Sequence, residues 1–440
     1  MKKYLIAVLL LGVGGIGFGQ DISLAACEAD ALAFSPAVKA AQAKAQAALA
    51  GYQSSRAALY PSLYLDAQGS WVSEIPTMQL GPQQFEFGSE WGGKIGPTVE
   101  FTLFDKGARS SASKARFSAY ESALQDLDAA RRFALLGVRQ AYFTVQRDLE
   151  HMYLASEQLK VARKQLKDIE SAYQAGAKSR LDVLMAQKQA LRLAQEASAA
   201  RGALGTHLRD LFKLTGTDYG LNPAYALDAR VTEKLPGHTT AVVRADEPEN
   251  TVHALSQAAG LGFDSNSPRL ASLDSLVRQY EYISRGYAAA VWPRVGLTGG
   301  AYWEYPNGPL QEDVFLGRAG LSVRLPLFEG GKNKKQALSQ LKTAQALQEN
   351  RAELEQSLEA LFYSSRDRLQ SLDIEEDLAR QLVEAAQKTA ALTYEAYKAG
   401  SVTFLEVDDA NLSLLQSRIA LSDLYIQRLN SLAVMDNLGR

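Results

Sequence analysis

The chain repeats itself, and no other feature limits its possible folds so sharply. Ser35-Pro36 returns as Ser267-Pro268, and Leu59-Tyr60-Pro61-Ser62-Leu63 as Val291-Trp292-Pro293-Arg294-Val295. Val99 to Gly107 (VEFTLFDKG) returns as Val323 to Gly331 (VRLPLFEGG). Ala172-Tyr173-Gln174-Ala175-Gly176 returns as Ala396-Tyr397-Lys398-Ala399-Gly400, each followed by Leu-Asp-Val or Leu-Glu-Val at 181–183 and 405–407. The interval from Pro36 to Pro61 equals that from Pro268 to Pro293, and the interval from Phe104 to Gly176 equals that from Phe328 to Gly400. Only the stretch between these blocks differs, so the first copy carries the longer hairpin loop. The matching blocks in one order mean a tandem duplication of one supersecondary unit.

Breaker residues outline that unit. No proline lies between Pro97 and Pro223 or after Pro326, and no glycine lies from Lys332 to Ala399. Tracts so free of breakers predict very long helices. At the helical rise per residue, Lys106 to Tyr173 would span on the order of 100 Å. Within it Leu124, Val138, Val145, Met152, Leu159, Leu166 and Tyr173 recur every seventh position, while Ala134, Ala141, Ala155 and Ala162 supply a small-residue seam interrupted by Arg131 and Asp148. Large residues facing small ones predict close coiled-coil neighbours.

Between the helices the period drops to two. Leu63, Leu65, Ala67, Gly69 and Trp71 alternate with Tyr64, Asp66, Gln68 and Ser70, and Ile95, Val99, Phe101 and Leu103 alternate with Gly96, Thr98, Glu100 and Thr102. The second copy alternates in the same way around Val295–Trp303 and Leu321–Leu325, with Trp71, Trp91 and Trp303 towards the loop ends. Segments of roughly ten residues with one apolar face suit tilted membrane strands flanked by aromatic girdles. A sheet in hydrocarbon has to close, because an open edge leaves backbone groups unpaired. Four strands are too few, since about eight is the minimum. Hairpins in a membrane therefore require several copies of the chain to share one barrel.

Lys2 and Lys3, the apolar run Tyr4–Ile16 and Gly17-Phe18-Gly19 predict a cleaved export signal at 1–19. Leu24-Ala25-Ala26-Cys27 offers a rival lipidation site, but it stands apart from the apolar run and inside an expected helix capped by Ser23, so Cys27 is read as a buried small residue. His151, His207, His238 and His253 lack ligand spacing, and no nucleophile–base set or phosphate loop occurs, so neither metal, cofactor nor catalysis is expected. A net charge of −2 gives no case for nucleic acid as a partner.

Taken together, the signal, the duplicated halves, the Leu-Phe-[Asp/Glu]-x-Gly strand ends and the two Tyr-x-x-Gly…Leu-[Asp/Glu]-Val elements resemble the outer-membrane efflux proteins of the TolC type. The resemblance runs through essentially the whole mature chain. It implies a mainly α fold with a small β part: long coiled-coil hairpins forming a periplasmic α-barrel, and four strands per chain in a shared 12-stranded barrel. It also implies a homotrimer in the cell outer membrane, in contact with its lipid. The partners implied are a periplasmic adaptor and an inner-membrane pump of RND, ABC or MFS type. The expected divisions are the signal at 1–19, a first repeat at 20–215 (hairpin about 62–104), an equatorial linker at 216–250 and a second repeat at 251–440 (hairpin about 293–328).

Carried onto matching positions, the resemblance makes Gly176 and Gly400 the turns at the periplasmic tips. It makes Ala175, Ala177, Ser179 and Leu181, with Ala399, Ser401, Thr403 and Leu405, the surface met by an adaptor. Glu406 and Asp409, three apart on one helix face, match the family's acidic entrance ring, and Tyr397 with Asp182 matches a latch that holds it shut. Asp408 is expected to be solvated. Val402 stands where the family's second latch has Arg. A plain αα-turn, and acids favoured by the helix dipole, are the simpler readings of the same residues. A protein-secretion duct of the same fold and a periplasmic coiled-coil adaptor are the competing functions.

Overall fold

A computed structural model describes residues 20–80, 82–86, 88–219, 225–226, 241–246, 251–252, 255–256, 262–308 and 310–439. The expected export signal, most of the 216–250 linker, His238 and His253 lie outside them. The chain forms two compact units, one of Ala40–Ala129 and Asn266–Gln356, the other of Met1–Lys39, Ala130–Ser265 and Ser357–Arg440.

The first unit holds the period-two segments as a four-stranded antiparallel sheet. Its strands are β2 (Ser62–Trp71), β5 (Trp91–Phe104), β8 (Arg294–Tyr305) and β9 (Val314–Arg324), in the order β2-β5-β8-β9. The β5–β8 pairing joins the two repeats, with Phe101 opposite Leu297 and Leu297 opposite Leu321 on β9. β2 and β9 are edges with a single partner each. The extra length of the first loop forms a small hairpin, β3 (Thr77–Leu80) with β4 (Gln83–Glu86). One face of the sheet exposes Leu63, Leu65, Ile95, Val99, Phe315 and Leu321 at 41–72%. So large an apolar surface marks contact with a membrane or another chain.

The other face is polar and crosslinked. The Thr98 hydroxyl donates to Asp66 and shares a 2.9 Å hydrogen bond with the Tyr302 hydroxyl, and Lys94 Nζ lies 3.7 Å from the centroid of the Tyr302 ring. Arg318 and Glu304 pair across β8 and β9 at 2.6 Å. Glycine makes the room: a Cβ at Gly300 would stand 2.4 Å from the Tyr302 hydroxyl, and one at Gly96 only 2.0 Å from the Ala301 carbonyl oxygen. The same unit holds most of α2 (Pro36–Ala57), all of α5 (Pro268–Ala289) and the N-terminal stretches of α3 (Ala108–Gln174) and α6 (Lys332–Lys398). Arg351 pairs with Asp274 at 2.7 Å within the second repeat, and Ser122 with Ser272 at 2.9 Å ties helices of the two repeats together.

α3 and α6 are 67 residues each, and with α4 (Arg180–Thr215) and α7 (Phe404–Leu438) they form two helical hairpins. The second unit's main core gathers Val138, Tyr142, Val145 and Met152 of α3, Leu204, Leu208 and Leu211 of α4, and Leu429 and Leu432 of α7. α1 (Leu24–Phe34) joins it through Cys27 and Ala31, its first turn capped by Ser23, whose hydroxyl accepts from Ala26 N–H at 3.3 Å. Cys27 is fully buried, and β1 (Gln20–Ile22) ahead of it pairs with β7 (Ala241–Ala245), which also pairs with β6 (Tyr225–Ala226). A cut at Cys27 would remove both β1 and the cap.

The seven-residue seam holds only in its middle. Val138, Val145 and Met152 are buried, whereas Leu124 and Tyr173 are 40% and 43% exposed. A straight helix drifts by about 20° per heptad against a 3.5-residue repeat, so the two ends of the stripe face away from the chain's own core. Asp148, which interrupts the seam, is buried because Arg147 (3.1 Å) and His207 both donate to it.

Gly96→Val should cost about 1–3 kcal/mol by overpacking against a backbone that cannot yield. Gly69→Val, with nothing within 4 Å of its Cβ, serves as the control. Thermal unfolding followed by β-sheet circular dichroism would read the difference, and equal midpoints would contradict the packing of Tyr302 between the two repeats.

Candidate functional site

Both hairpins reverse in the same way. α3 ends at Gly176 (φ 78°), where Gly176 N–H reaches Tyr173 O at 2.9 Å and Ala177 N–H reaches Ala172 O at 2.8 Å. α6 ends at Gly400 (φ 82°), with Gly400 N–H to Tyr397 O at 3.0 Å and Ser401 N–H to Ala396 O at 2.9 Å. This double bond across the last turn needs a left-handed residue, which glycine adopts without strain. The repeat has therefore preserved a backbone geometry, not merely a motif.

The next helices start with matching caps. In α4 the Asp182 carboxylate accepts from Ser179 N–H (3.0 Å) and the Ser179 hydroxyl (2.7 Å), and Asp182 N–H returns to that hydroxyl. In α7 the Glu406 carboxylate accepts from Thr403 N–H at 2.6 Å and from the Thr403 hydroxyl at 3.0 Å. Each acid thus satisfies an orphan helix-start donor and sits at the positive end of the dipole.

Between the two reversals lies a small apolar core: Ile169, Ala186, Tyr397, Phe404 and Val407, with Val183, Met185, Tyr394 and Val402 at its margin. Phe404 meets the Tyr397 ring edge-on at 5.5 Å, and Tyr394 stacks on it at 6.5 Å. Lys178, in the first reversal, reaches across to the second: its Nζ donates to Tyr397 O at 2.8 Å and lies 3.8 Å from the centroid of the Tyr397 ring. Nothing in the local sequence marks Lys178, because its partner belongs to the other repeat.

Tyr397 and Asp182 do come together, close enough for the Asp182 charge to act on the phenol. The Tyr397 hydroxyl is buried and makes no hydrogen bond, while Asp182 is held by its own cap. Burial first, then the Asp182 charge, disfavours the phenolate and pushes the Tyr397 pKa up to about 12 from the usual 10.0. Tyr394 is pushed up to about 12 in the same way, by burial and by Asp168, whose carboxylate accepts its hydroxyl at 3.3 Å.

Glu406 and Asp409 are both exposed on α7, as are the tip residues Ala175, Ala177, Ser179, Leu181, Ala399, Ser401, Thr403 and Leu405. Asp408 corrects the expectation that it is solvated. It is 7% exposed and accepts from Arg192 Nη2 of α4 at 2.9 Å. The reason is periodic: Phe404, Val407, Asp408, Asn411 and Leu415 form the buried stripe of α7, and Asp408 falls within it. Further along that stripe Asn411 donates to Gln165 at 3.1 Å. Among the described residues no group of His, Cys, Asp and Glu is arranged to hold a metal ion.

A tyrosine whose folded pKa lies above its unfolded value stabilises the fold below pH 10 and loses that contribution as pH rises through 12. Alkaline titration of phenolate absorbance, native minus Tyr397→Phe, should therefore show a missing group titrating near 12. A missing group at the ordinary 10.0 would place Tyr397 in water.

The family model described as outer membrane efflux protein matches residues 29–217 and 264–438. The chain is 25% identical over 417 residues to the cation efflux system protein CusC of Escherichia coli (strain K12), covering 91% of this chain and 83% of that protein. With protein CyaE of Bordetella pertussis it shares 27% over 316 residues, 71% of this chain and 61% of CyaE. The crystal structure of CusC superposes with a TM-score of 0.76 at 20% identity, covering 98% of this chain and 95% of that one. That of VceC from Vibrio cholerae gives 0.74 at 20% identity, covering 94% and 96%.

Proposed function

The chain belongs to the outer membrane efflux protein family, and on that premise we propose that three copies close one barrel, with the paired helix turns as its periplasmic gate. Membership makes the chain an outer-membrane efflux channel subunit; the family is one of transport channels, and the reading includes no catalytic step. The observation that carries association is the four-stranded sheet with an apolar exposed face and two single-partner edges, β2 and β9, and the number three is the one the family resemblance implies. In hydrocarbon those edges need partners, and the edges of neighbouring copies supply them. Three copies give twelve strands, above the minimum for closure.

At the helix reversals, Glu406 and Asp409 remain exposed while Asp408 is neutralised by Arg192. Three copies around an axis then present six carboxylates. Such a ring attracts cations and binds a multivalent one most strongly, because each added charge multiplies the Coulomb term. The closed state is held by the Tyr397–Phe404–Ile169 core and by Lys178, which ties the first hairpin to the second. Opening separates these contacts. The small exposed residues at Gly176, Ala177, Ser179, Gly400, Ser401 and Thr403, with Leu181 and Leu405 beside them, form the surface for a periplasmic adaptor. The adaptor in turn links the duct to an inner-membrane pump, which selects what is exported; small molecules are the favoured cargo.

Purified in detergent from outer membranes, the protein should sediment with the mass of three chains. A monomer would remove the shared barrel. In planar bilayers, block by a trivalent cation from the periplasmic side should weaken on the order of tenfold or more in a Glu406→Gln, Asp409→Asn variant; unchanged block would reject the acidic ring.

A further inference from the structure

The repeated block that ends each membrane strand pair, Leu103-Phe104-Asp105-Lys106-Gly107 and Leu327-Phe328-Glu329-Gly330-Gly331, is not accounted for by closure or gating. The strand register sets Phe104 opposite Val295 and Arg294 opposite Arg324, so both blocks stand at the same end of the sheet, the end leading into α3 and α6. Their backbones match: Lys106 and Gly107 have φ of 55° and 83°, Gly330 and Gly331 of 59° and 77°. The second copy meets this left-handed pair with two glycines. The first places a lysine there, the one non-glycine residue with positive φ among those described. That conformation is uphill for a side-chain-bearing residue by about 1 kcal/mol, so the charge is kept at a position where glycine would be easier.

The charge recurs in the other copy by a different route. Lys332, Lys334 and Lys335 occupy the first turn of α6, where no acidic residue stands. Cations are unfavourable at that end of a helix, so these lysines are not explained by helix stability. Lys106, Lys332, Lys334 and Lys335 are all exposed, and among the described residues none forms an ion pair. The nearby acids are engaged: Asp105 accepts from Arg109, and Glu329 from the Asn333 amide at 2.5 Å. Immediately before the lysines, Leu327 and Phe328 are 88% and 90% exposed, and Trp292, 51% exposed, lies 4.6 Å below the Lys106 ammonium.

An apolar and aromatic edge followed directly by unpaired ammonium groups has the charge profile of the boundary between acyl chains and anionic headgroups. We propose that these four lysines form a collar that binds anionic phospholipid headgroups of the periplasm-facing leaflet, with Phe328, Leu327 and Trp292 seated in the acyl region above them. The proposal rests on the membrane barrel put forward above. Three copies would set twelve lysines around the channel. Zwitterionic headgroups carry no net charge to match them, so the collar selects phosphatidylglycerol over phosphatidylcholine.

The test is native mass spectrometry of the detergent-purified full-length channel incubated with phosphatidylglycerol or with phosphatidylcholine, which reads bound lipid and oligomer mass together. The native protein should retain phosphatidylglycerol preferentially. Each lysine changed to glutamine should reduce that preference by about fivefold. The Lys106→Gln, Lys332→Gln, Lys334→Gln, Lys335→Gln variant should lose it while still flying as a trimer. Phe328→Ala should weaken retention of both lipids alike. Trimers that retain the two lipids equally, or a fourfold variant with its preference intact, would overturn the collar alone. Loss of trimers in the fourfold variant, with lipid preference unchanged, would also overturn it and assign the lysines to the contact with a neighbouring copy. Native monomers would instead overturn the barrel on which the proposal stands.

Discussion

A backbone amide has no partner in hydrocarbon except another backbone group, and the design of this chain follows from that. The sheet satisfies the rule across the junction between its repeats, where β5 and β8 pair over most of their length. It leaves the rule unsatisfied at β2 and β9. Duplication therefore raises the number of strands per copy and still leaves two single-partner edges. The polar face is stitched tightly by Thr98, Asp66 and Tyr302, with Gly300 leaving space for the ring and Gly96 for the neighbouring backbone of Ala301 and Tyr302. The apolar face is left uncovered, as a lipid-facing wall must be.

At the helix reversals the acids first serve local structure. Asp182 and Glu406 each hold a helix start by accepting from the residue three positions earlier. A cap still leaves the Glu406 carboxylate exposed to solvent, with its orientation set by the turn. Asp408, two residues along, belongs to the helix interior face and is consumed by Arg192. Selection among neighbouring acids is thus made by helical phase. The two reversals are held together by the apolar core around Tyr397 and Phe404, by the Lys178 bridge and by the Tyr394–Asp168 hydrogen bond.

Much of this was legible in the residues. The absence of breakers from Lys332 to Ala399 corresponds to the helix Lys332–Lys398, and the alternating segments correspond to the four long strands within a few residues. The glycines at 176 and 400 announced the reversals. The seven-residue seam was less reliable, because a heptad written along a helix describes its own core only where the helix stays in phase with its neighbours. Leu124 and Tyr173 lie beyond that stretch.

By itself the sequence determined the duplication, the lengths of the helices and the faces of the strands. These follow from short-range periodicity and from residues that forbid or require a backbone conformation where they stand. Tertiary structure alone decided that Lys178 grips Tyr397, 219 positions away, that Asp408 is buried against Arg192 across 216, and that Asp182 stands beside a tyrosine hydroxyl without bonding it. It alone also brought the two strand-end blocks to one edge of the sheet. A side chain's charge and size are written in the sequence. Which distant group meets it depends on how hairpins pack, and packing is set by the summed contacts of the fold and not by any one segment.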